Sequence, residues 1–147
     1  MATTTVQTSN FLLVEDDPDD ALLTQRAFKK ANIWNPIDSV TSAEDAWQYL
    51  TQQGPYADQS RYPKPLCVLL DLNMPGMDGR ELIAKMGADE TLKDIPVIVI
   101  STSDYEKDME HVRSMGAKHY IIKPLKMQSV LQVVASLPNV SVILGTA

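Results

Sequence analysis

The chain has 147 residues, the length of one ordinary domain, and 19 acidic against 13 basic residues give it a formal net charge of −6. That charge argues against a nucleic-acid surface, which needs clustered basic residues to displace counterions. No apolar run approaches the roughly 18 residues that span a bilayer, and segment 1–9 lacks the pattern of a signal peptide. Cys67 is the single cysteine, so an internal disulfide is impossible. We therefore expect a cytoplasmic protein that binds neither DNA nor membrane.

Short, continuous apolar runs predict a buried sheet, because strands covered on both faces need no polar alternation. Four such runs occupy residues 11–14, 66–70, 97–100 and 120–122. A weaker run over 37–40 predicts a further strand at a sheet edge. Helical patterns lie between the runs, so strand and helix alternate five times. This alternation predicts a doubly wound α/β sheet.

Capping signals mark where the helices begin. Asp17 followed by Pro18 predicts the start of the first helix, because a side-chain cap precedes a proline at the first helical position. The predicted buried stripe of this helix is formed by Leu23, Ala27 and Ala31.

Similar signals place the next three helices. Ser42 begins a capping box ahead of the second helix, and apolar residues within 82–86 mark the third. Ser103 to Glu106 predicts a second capping box at the start of the fourth helix, which Gly116 is expected to end.

The last helix, predicted over about 126–136, carries more apolar residues than one fold needs. Its predicted core stripe consists of Met127, Val130, Leu131 and Val134. Val133 and Leu137 add apolar surface beside that stripe, and the segment 138–147 is apolar as well. We therefore expect a homodimer through the fourth helix, the last strand, the last helix and the C-terminal segment.

Polar residues follow the ends of the predicted strands. In strand order these residues are Glu15 and Asp16, Asp71 and Asn73, Ser101, and Lys123. Because the carboxyl ends of parallel strands lie at one edge of the sheet, where ligands bind in such folds, these residues are expected to converge there.

The chemistry of that group is restrictive. Crowded carboxylates repel one another unless a cation is present, and oxygen ligands without histidine or thiolate select a hard ion such as Mg²⁺. A lysine supplies a second positive charge, and a serine supplies a hydrogen-bond donor. These are the requirements of phosphoryl transfer to a carboxylate nucleophile.

The chain resembles the receiver domain of bacterial two-component response regulators. The motifs that carry the resemblance are Val14 to Asp17, Asp71 to Gly79, Ser101 to Ser103, and Lys123-Pro124. It implies a receiver domain over 10–137, between a disordered polar N-terminus, 1–9, and an apolar C-terminal extension, 138–147. It also implies a flavodoxin-like, three-layer (βα)5 sandwich whose five parallel strands lie in the order 2-1-3-4-5.

The resemblance assigns a role to each residue of the predicted site. Asp71 would accept a phosphoryl group from a sensor histidine kinase. Glu15 and Asp16 would hold Mg²⁺ together with Asp71 and the backbone carbonyl of Asn73. Because adjacent strand residues point to opposite faces, we expect Asp16 to bind the metal directly and Glu15 to bind it through water.

Two further residues would sense the phosphoryl group, and a third would respond to them. Lys123 matches the phosphate-sensing lysine and Ser101 the switch hydroxyl, where threonine is commoner. Tyr120 matches the aromatic switch residue, although an aromatic side chain on a strand also packs without switching. Serine lacks the methyl group that stiffens threonine, so a looser coupling to Tyr120 is expected.

The functional prediction is a stand-alone response regulator that signals by changed protein–protein binding. It is not an enzyme in the usual sense, because it catalyses only its own phosphorylation and the hydrolysis of its acyl phosphate. The chain length, the long loop 52–65 and the stretch 95–106 most resemble the small response regulators that partner cyanobacterial phytochromes.

Three alternative functions fit parts of the sequence less well. A constitutive dimeric scaffold would keep the fold without using phosphate, but no residue of the predicted site is lost. A phosphatase of the haloacid dehalogenase type would need an aspartate two residues after its nucleophile, where this chain has Asn73. A flavodoxin-like cofactor carrier would need a phosphate cradle after Val14, where the chain is acidic instead.

Overall fold

The computed structural model describes residues 10–74 and 79–137, and within them strands and helices alternate from the first strand to the last helix. The strands are β1 (Phe11–Val14), β2 (Ile37–Val40), β3 (Cys67–Asp71), β4 (Val97–Ser101) and β5 (His119–Ile122). The α-helices are α1 (Pro18–Lys30), α2 (Ala43–Leu50), α3 (Gly79–Ala88), α4 (Glu106–Met115) and α5 (Met127–Ser136). The predicted N-terminal and C-terminal segments, 1–9 and 138–147, and motif residues 75–78 lie outside the described residues.

The strands form one parallel sheet in the order β2-β1-β3-β4-β5. This order confirms the predicted flavodoxin-like fold. In the register between the two central strands, Val14 pairs with Leu70. The next residues, Glu15 and Asp71, therefore leave the sheet side by side at its carboxyl edge.

Two apolar layers cover the sheet, one on each face. Leu12 and Val14 of β1 point into the layer that contains buried residues of α2, α3 and α4. Phe11 and Leu13 point into the opposite layer, which is formed with α1 and α5. The side chains of β1, β3 and β4 are thus buried on both faces of the sheet, which explains why the sequences of these strands are almost continuously apolar. None of the described helices is long and apolar enough to cross a bilayer.

The caps of the first two helices confirm the sequence interpretation. The Asp17 side chain accepts hydrogen bonds from the backbone N–H groups of Asp19 and Asp20, and the Ser42 hydroxyl accepts one from Asp45. Gly116 ends α4 with φ of +122°, a conformation that glycine adopts without strain.

The predicted cap of α4 is wrong. The helix begins at Glu106 after Tyr105, which makes no side-chain capping bond. The Ser103 hydroxyl instead donates to the Asp108 carboxylate at 2.7 Å and accepts from the Tyr105 N–H at 3.2 Å. Ser103 therefore organises the loop before the helix rather than the helix end itself.

The predicted buried faces of α1 and α5 also need correction. Leu23 is 57% exposed, because α1 packs on the sheet through Thr24, Ala27 and Phe28. Met127 and Leu131 of α5 are 48% and 41% exposed. The buried residues at that end of the chain are Val130, Val133, Val134 and Leu137. The predicted and observed stripes of α5 share the same helical spacing, so periodicity alone could not choose between them.

At the amino edge of the sheet, the long loop 52–65 folds around a group of tyrosines. A short 3-10 helix, Gly54–Tyr56, lies within this loop. The rings of Tyr49, Tyr56 and Tyr62 pack with centroids 5.1 to 5.7 Å apart. We call these three residues the tyrosine cluster; it fastens the loop to the end of α2.

A hydrogen-bond network lies beneath the tyrosine cluster. The buried Tyr49 hydroxyl donates to the Asp38 carboxylate of β2 and accepts from the Asn10 side-chain amide at 2.9 Å. Burial and the bond to Asp38 raise the pKa of Tyr49 well above its usual range. The hydroxyl therefore stays protonated and keeps its role as donor.

Candidate functional site

Three carboxylates meet at the carboxyl edge of the sheet. Glu15 follows β1, Asp16 follows it, and Asp71 ends β3; one carboxylate oxygen of each lies within 4.8 Å of the others. Glu15 and Asp71 are each only 3% exposed, whereas Asp16 is open to solvent. The structure thus brings together the three side chains that the sequence predicted as metal ligands.

Backbone hydrogen bonds hold the two buried carboxylates in place. The Glu15 N–H donates to the carbonyl of Val40 at 2.9 Å, which extends the pairing of β1 with β2. The Asp71 carboxylate accepts a hydrogen bond of 2.8 Å from the Asn73 N–H, which folds the chain back just after β3. The acidic side chains are therefore fixed by the sheet and by a local turn.

Lys123 brings a positive charge into this group from the end of β5. Its Nζ lies 3.0 Å from Glu15 Oε1, 3.1 Å from Asp20 Oδ2 and 3.3 Å from Asp71 Oδ2. The Lys123 N–H donates to the carbonyl of Ser101 at 2.8 Å, which continues the pairing with β4, and the Lys123–Pro124 peptide bond is cis. One ammonium group is thus shared among three carboxylates.

The surroundings of Glu15 and Lys123 raise the pKa of both side chains. Burial first, and then the hydrogen bond to Asp71, raise the pKa of Glu15 to about 7, against the opposing influence of Lys123. Burial lowers the pKa of Lys123, but its hydrogen bonds to Glu15 and Asp20 and the charge of Asp71 more than offset this and raise it. The lysine therefore stays charged, and the carboxylates retain affinity for a further cation.

Ser101 ends β4 and is buried. Its hydroxyl accepts a hydrogen bond of 3.1 Å from the Ser103 N–H. The half-buried Tyr120 of β5 donates from its hydroxyl to the Ser103 carbonyl at 2.9 Å. Both predicted switch residues, Ser101 and Tyr120, are thus bonded to the same residue of the loop between β4 and α4.

Two contacts of the site were missed by sequence reasoning. The Asn73 side chain, and not only its backbone, takes part: its Oδ1 accepts from the Thr102 N–H at 2.8 Å and from the Thr102 hydroxyl at 3.3 Å. The other is the ion pair of Asp20 with Lys123. Asp20 lies in the first turn of a helix that directly follows a strand, and that position is the sequence signal that could have identified it.

Comparison with known proteins gives consistent matches over nearly the whole chain. The family model described as "Response regulator receiver domain" matches residues 11–135. Response regulator Rcp1 of Synechocystis sp. is 33% identical over 128 residues, which cover 87% of this chain and 85% of that protein.

Solved structures agree with that match. The response regulator RPA3017 in red light signaling of R. palustris superposes with a TM-score of 0.79 at 32% identity, covering 94% of this chain and 99% of the other. The phosphorylated cyanobacterial phytochrome response regulator RcpA superposes with a TM-score of 0.70 at 36% identity, covering 92% of this chain and 99% of the other. The Mn²⁺-bound form of Rcp1 superposes with a TM-score of 0.71 at 31% identity and the same two coverages.

Proposed function

This chain belongs to the response regulator receiver domain family, and we propose that Asp71 accepts a phosphoryl group from a sensor histidine kinase. The observation that carries this proposal is the position of the Asp71 carboxylate, which is buried beside Glu15, near Asp16, and 3.3 Å from the Lys123 ammonium. The scaffold alternative finds no comparable support, because the full acidic group and the lysine are present. The phosphatase alternative lacks its second aspartate, since Asn73 stands two residues after Asp71.

The site is suited to a divalent cation. Its side-chain donors are carboxylate oxygens, the ligands that Mg²⁺ and Mn²⁺ prefer, and a solved relative holds Mn²⁺. We assign the metal to Glu15, Asp16, Asp71 and the backbone carbonyl of Asn73, with Asp16 as direct ligand and Glu15 acting through water. When bound, Mg²⁺ supplies positive charge to the phosphoryl oxygens.

The transfer itself requires a nucleophile and positioned charges. A carboxylate oxygen of Asp71 attacks phosphorus, the bond from phosphorus to the kinase histidine nitrogen breaks, and its electron pair returns to the imidazole. Lys123 holds its ammonium 3.3 Å from the Asp71 carboxylate, where it would attract a phosphoryl oxygen carried by that side chain, and the Ser101 hydroxyl provides a donor at the end of the neighbouring strand. We propose that the acyl phosphate is later hydrolysed by the receiver itself.

The phosphoryl group is expected to signal through the loop between β4 and α4. Ser101 and Tyr120 are both hydrogen-bonded to Ser103 in that loop, so a movement of Ser101 towards the phosphoryl group would break or strain bonds that hold Tyr120. The change in the surface formed by α4, β5 and α5 would then alter the binding of another protein.

We propose a phytochrome as the cognate kinase and the cytoplasm as the location. RcpA, a phytochrome response regulator, and RPA3017, a response regulator in red light signaling, support this partner through identity of 36% and 32% over almost the full chain. Transfer of phosphate from a purified phytochrome kinase, compared with an unrelated histidine kinase, tests the assignment. Equal rates from both kinases would contradict it.

A homodimer is proposed through the surface of α4, β5 and α5 together with segment 138–147. Large apolar side chains are exposed at Tyr105 before α4, at Ile122 of β5, and at Met127 and Leu131 of α5. Apolar side chains left exposed on these segments favour a partner. Deletion of 138–147 is expected to yield monomer in light scattering, and an unchanged mass of the dimer would contradict the role of the tail.

The phosphoacceptor is tested by intact mass spectrometry after incubation with phosphoramidate. We expect the mass of one phosphoryl group to be gained only with Mg²⁺, and no gain in Asp71→Asn. Phosphorylation that persists in this variant would show that a residue other than Asp71 accepts the phosphoryl group. No gain in the unmodified protein, from either phosphoramidate or a kinase, would refute the proposed function.

A further inference from the structure

Asp20 is the carboxylate of this site that lies outside the acidic group. It extends from the first turn of α1, and its Oδ2 is 3.1 Å from Lys123 Nζ. The three carboxylates within 4.8 Å of one another are Glu15, Asp16 and Asp71, so among the described residues Asp20 contacts the lysine without belonging to the metal-binding group. Its function must therefore be exerted through Lys123.

The ammonium group has three N–H donors and meets three carboxylates. Glu15 and Asp71 lie on one side of it, at 3.0 and 3.3 Å, and Asp20 lies towards α1 at 3.1 Å. Each donor directed at Glu15 or Asp71 occupies an oxygen that a divalent cation or a phosphoryl group would also use. A carboxylate on the α1 side reduces that competition, because it holds part of the ammonium charge away from the metal ligands.

We propose that Asp20 is a positioning residue that draws the Lys123 ammonium towards α1 and so keeps Glu15 and Asp71 available to the divalent cation; the inference rests on the proposed function. After phosphorylation, Asp20 retains the ammonium at the site while Asp71 carries the phosphoryl group. Without Asp20, the ammonium settles between Glu15 and Asp71 and competes directly with the metal.

The surroundings of Asp20 suit this role. Its backbone N–H is held by the Asp17 side chain at 3.4 Å, so the start of α1 fixes the direction from which the carboxylate approaches. Asp20, Thr102 and Lys123 line a cleft of about 420 Å³ between α1 and the start of α5. The ion pair of Asp20 with Lys123 is therefore part of the wall of this cleft.

Asp19 offers a matched control. It lies beside Asp20 in the same turn, is exposed, and carries the same charge near the same helix end. The ion pairs of Lys123 within the described chain are with Glu15, Asp20 and Asp71. Asp19→Asn thus changes the net charge and the helix N-terminus as Asp20→Asn does, but leaves the contacts of the lysine intact.

The test measures metal affinity rather than phosphorylation. Binding of Mn²⁺ is followed by the electron paramagnetic resonance signal of the free ion, with Mg²⁺ as competitor. We expect Asp20→Asn to weaken affinity about tenfold beyond the effect of Asp19→Asn. Asp20→Glu should restore most of the loss, because its carboxylate still reaches the ammonium. In a Lys123→Gln background, Asp20→Asn should weaken affinity no more than Asp19→Asn.

The outcomes separate the two proposals. If the unmodified protein binds neither ion, the proposed function is refuted. If the unmodified protein binds both ions, but Asp20→Asn has the same metal affinity as Asp19→Asn or a higher one, only the role of Asp20 is refuted. An effect of Asp20→Asn that persists in full without Lys123 would also refute it, because Asp20 would then act on the metal directly.

Discussion

The two edges of the sheet both bury polar groups, but they satisfy them in different ways. At the amino edge, the Tyr49 hydroxyl donates to Asp38 and accepts from Asn10, and aromatic rings cover the network. At the carboxyl edge, the Glu15 and Asp71 carboxylates share the ammonium of Lys123, and the Asn73 N–H adds a further donor to Asp71. The first network leaves one neutral buried oxygen, Asn10 Oδ1, without a partner among the described residues, whereas the second crowds several charged carboxylate oxygens around one ammonium.

This difference indicates that the amino edge contributes to stability and the carboxyl edge to ligand binding. The amino-edge network stabilises the protein and presents no group of charges to a ligand, because the Tyr49 hydroxyl and the Asp38 carboxylate are already paired beneath aromatic rings. An unmatched group of carboxylates destabilises the folded state unless a cation or a further donor arrives. We therefore expect changes at the amino edge to affect stability alone and changes at the carboxyl edge to affect phosphorylation and metal binding.

The largest effect is expected for Lys123→Gln, which removes the ammonium from the carboxyl edge. The rate of phosphorylation by phosphoramidate should fall about 100-fold, as when a charged donor to a transition state is lost. Intact mass measured over time gives the rate. Lys126→Gln, a change at an exposed lysine three residues along the chain, is the control. Equal rates in the two variants would contradict the role of Lys123.

Addition of Mg²⁺ tests directly whether the crowded carboxylate oxygens at the carboxyl edge bind a cation. A free concentration roughly 100 times the dissociation constant should raise the free energy of unfolding by about 2.7 kcal/mol, because the folded state alone presents the grouped carboxylates. Urea unfolding with and without Mg²⁺ measures this increase. It should shrink in Glu15→Gln and remain unchanged in Tyr49→Phe. If Mg²⁺ raises the free energy of unfolding equally in both variants, the ion does not bind at Glu15.

Tyr49→Phe breaks the network of the amino edge. The free energy of unfolding should fall by about 1 to 3 kcal/mol, because Asp38 and the Asn10 amide each lose a buried partner. Tyr62→Phe removes a hydroxyl from the same tyrosine cluster but leaves that network intact. It should therefore lower the free energy of unfolding by less than Tyr49→Phe does. Phosphorylation rates should match the unmodified protein in both variants. A large loss of phosphorylation in Tyr49→Phe would show that the two edges are coupled.

The smallest effect concerns Cys67, which begins the strand that Asp71 ends. Burial raises the pKa of the Cys67 thiol well above its usual range, so the reactive thiolate is disfavoured in the folded protein. Ellman's reagent at pH 8 should label the thiol only when urea unfolds the chain. Rapid labelling without urea would mean that the amino edge opens far more readily than its hydrogen bonds suggest.

Much of the fold could be predicted because its signals are local. Continuous apolar runs marked the strands, and Asp17 and Ser42 marked helix starts where the structure has them. The convergence of Glu15, Asp71 and Lys123 also followed, since parallel strands end at one edge. The remaining contacts depend on tertiary packing. Which apolar face of α5 is buried and which carboxylate of α1 reaches Lys123 are decided by neighbours far away in sequence.

Ser103 illustrates why local patterns also mislead. The spacing from Ser103 to Glu106 fits a capping box, but its hydroxyl bonds to Asp108 and its backbone holds both Ser101 and Tyr120. Ser103 thus links the end of β4 and a side chain of β5 to the loop before α4, and it makes these bonds instead of a helix cap. Such competition between local and long-range partners is not visible in a sequence window.

The ion pair between Lys123 and Glu15 joins residues 108 positions apart. During synthesis, β1 and β3 leave the ribosome long before β5, so a growing chain holds the acceptor aspartate but not yet the lysine beside it. The site is complete only when the last strand has paired with β4. Phosphorylation would thus be much faster in finished molecules than in partly folded ones, and the kinase would pass its signal mainly to chains whose assembly had ended.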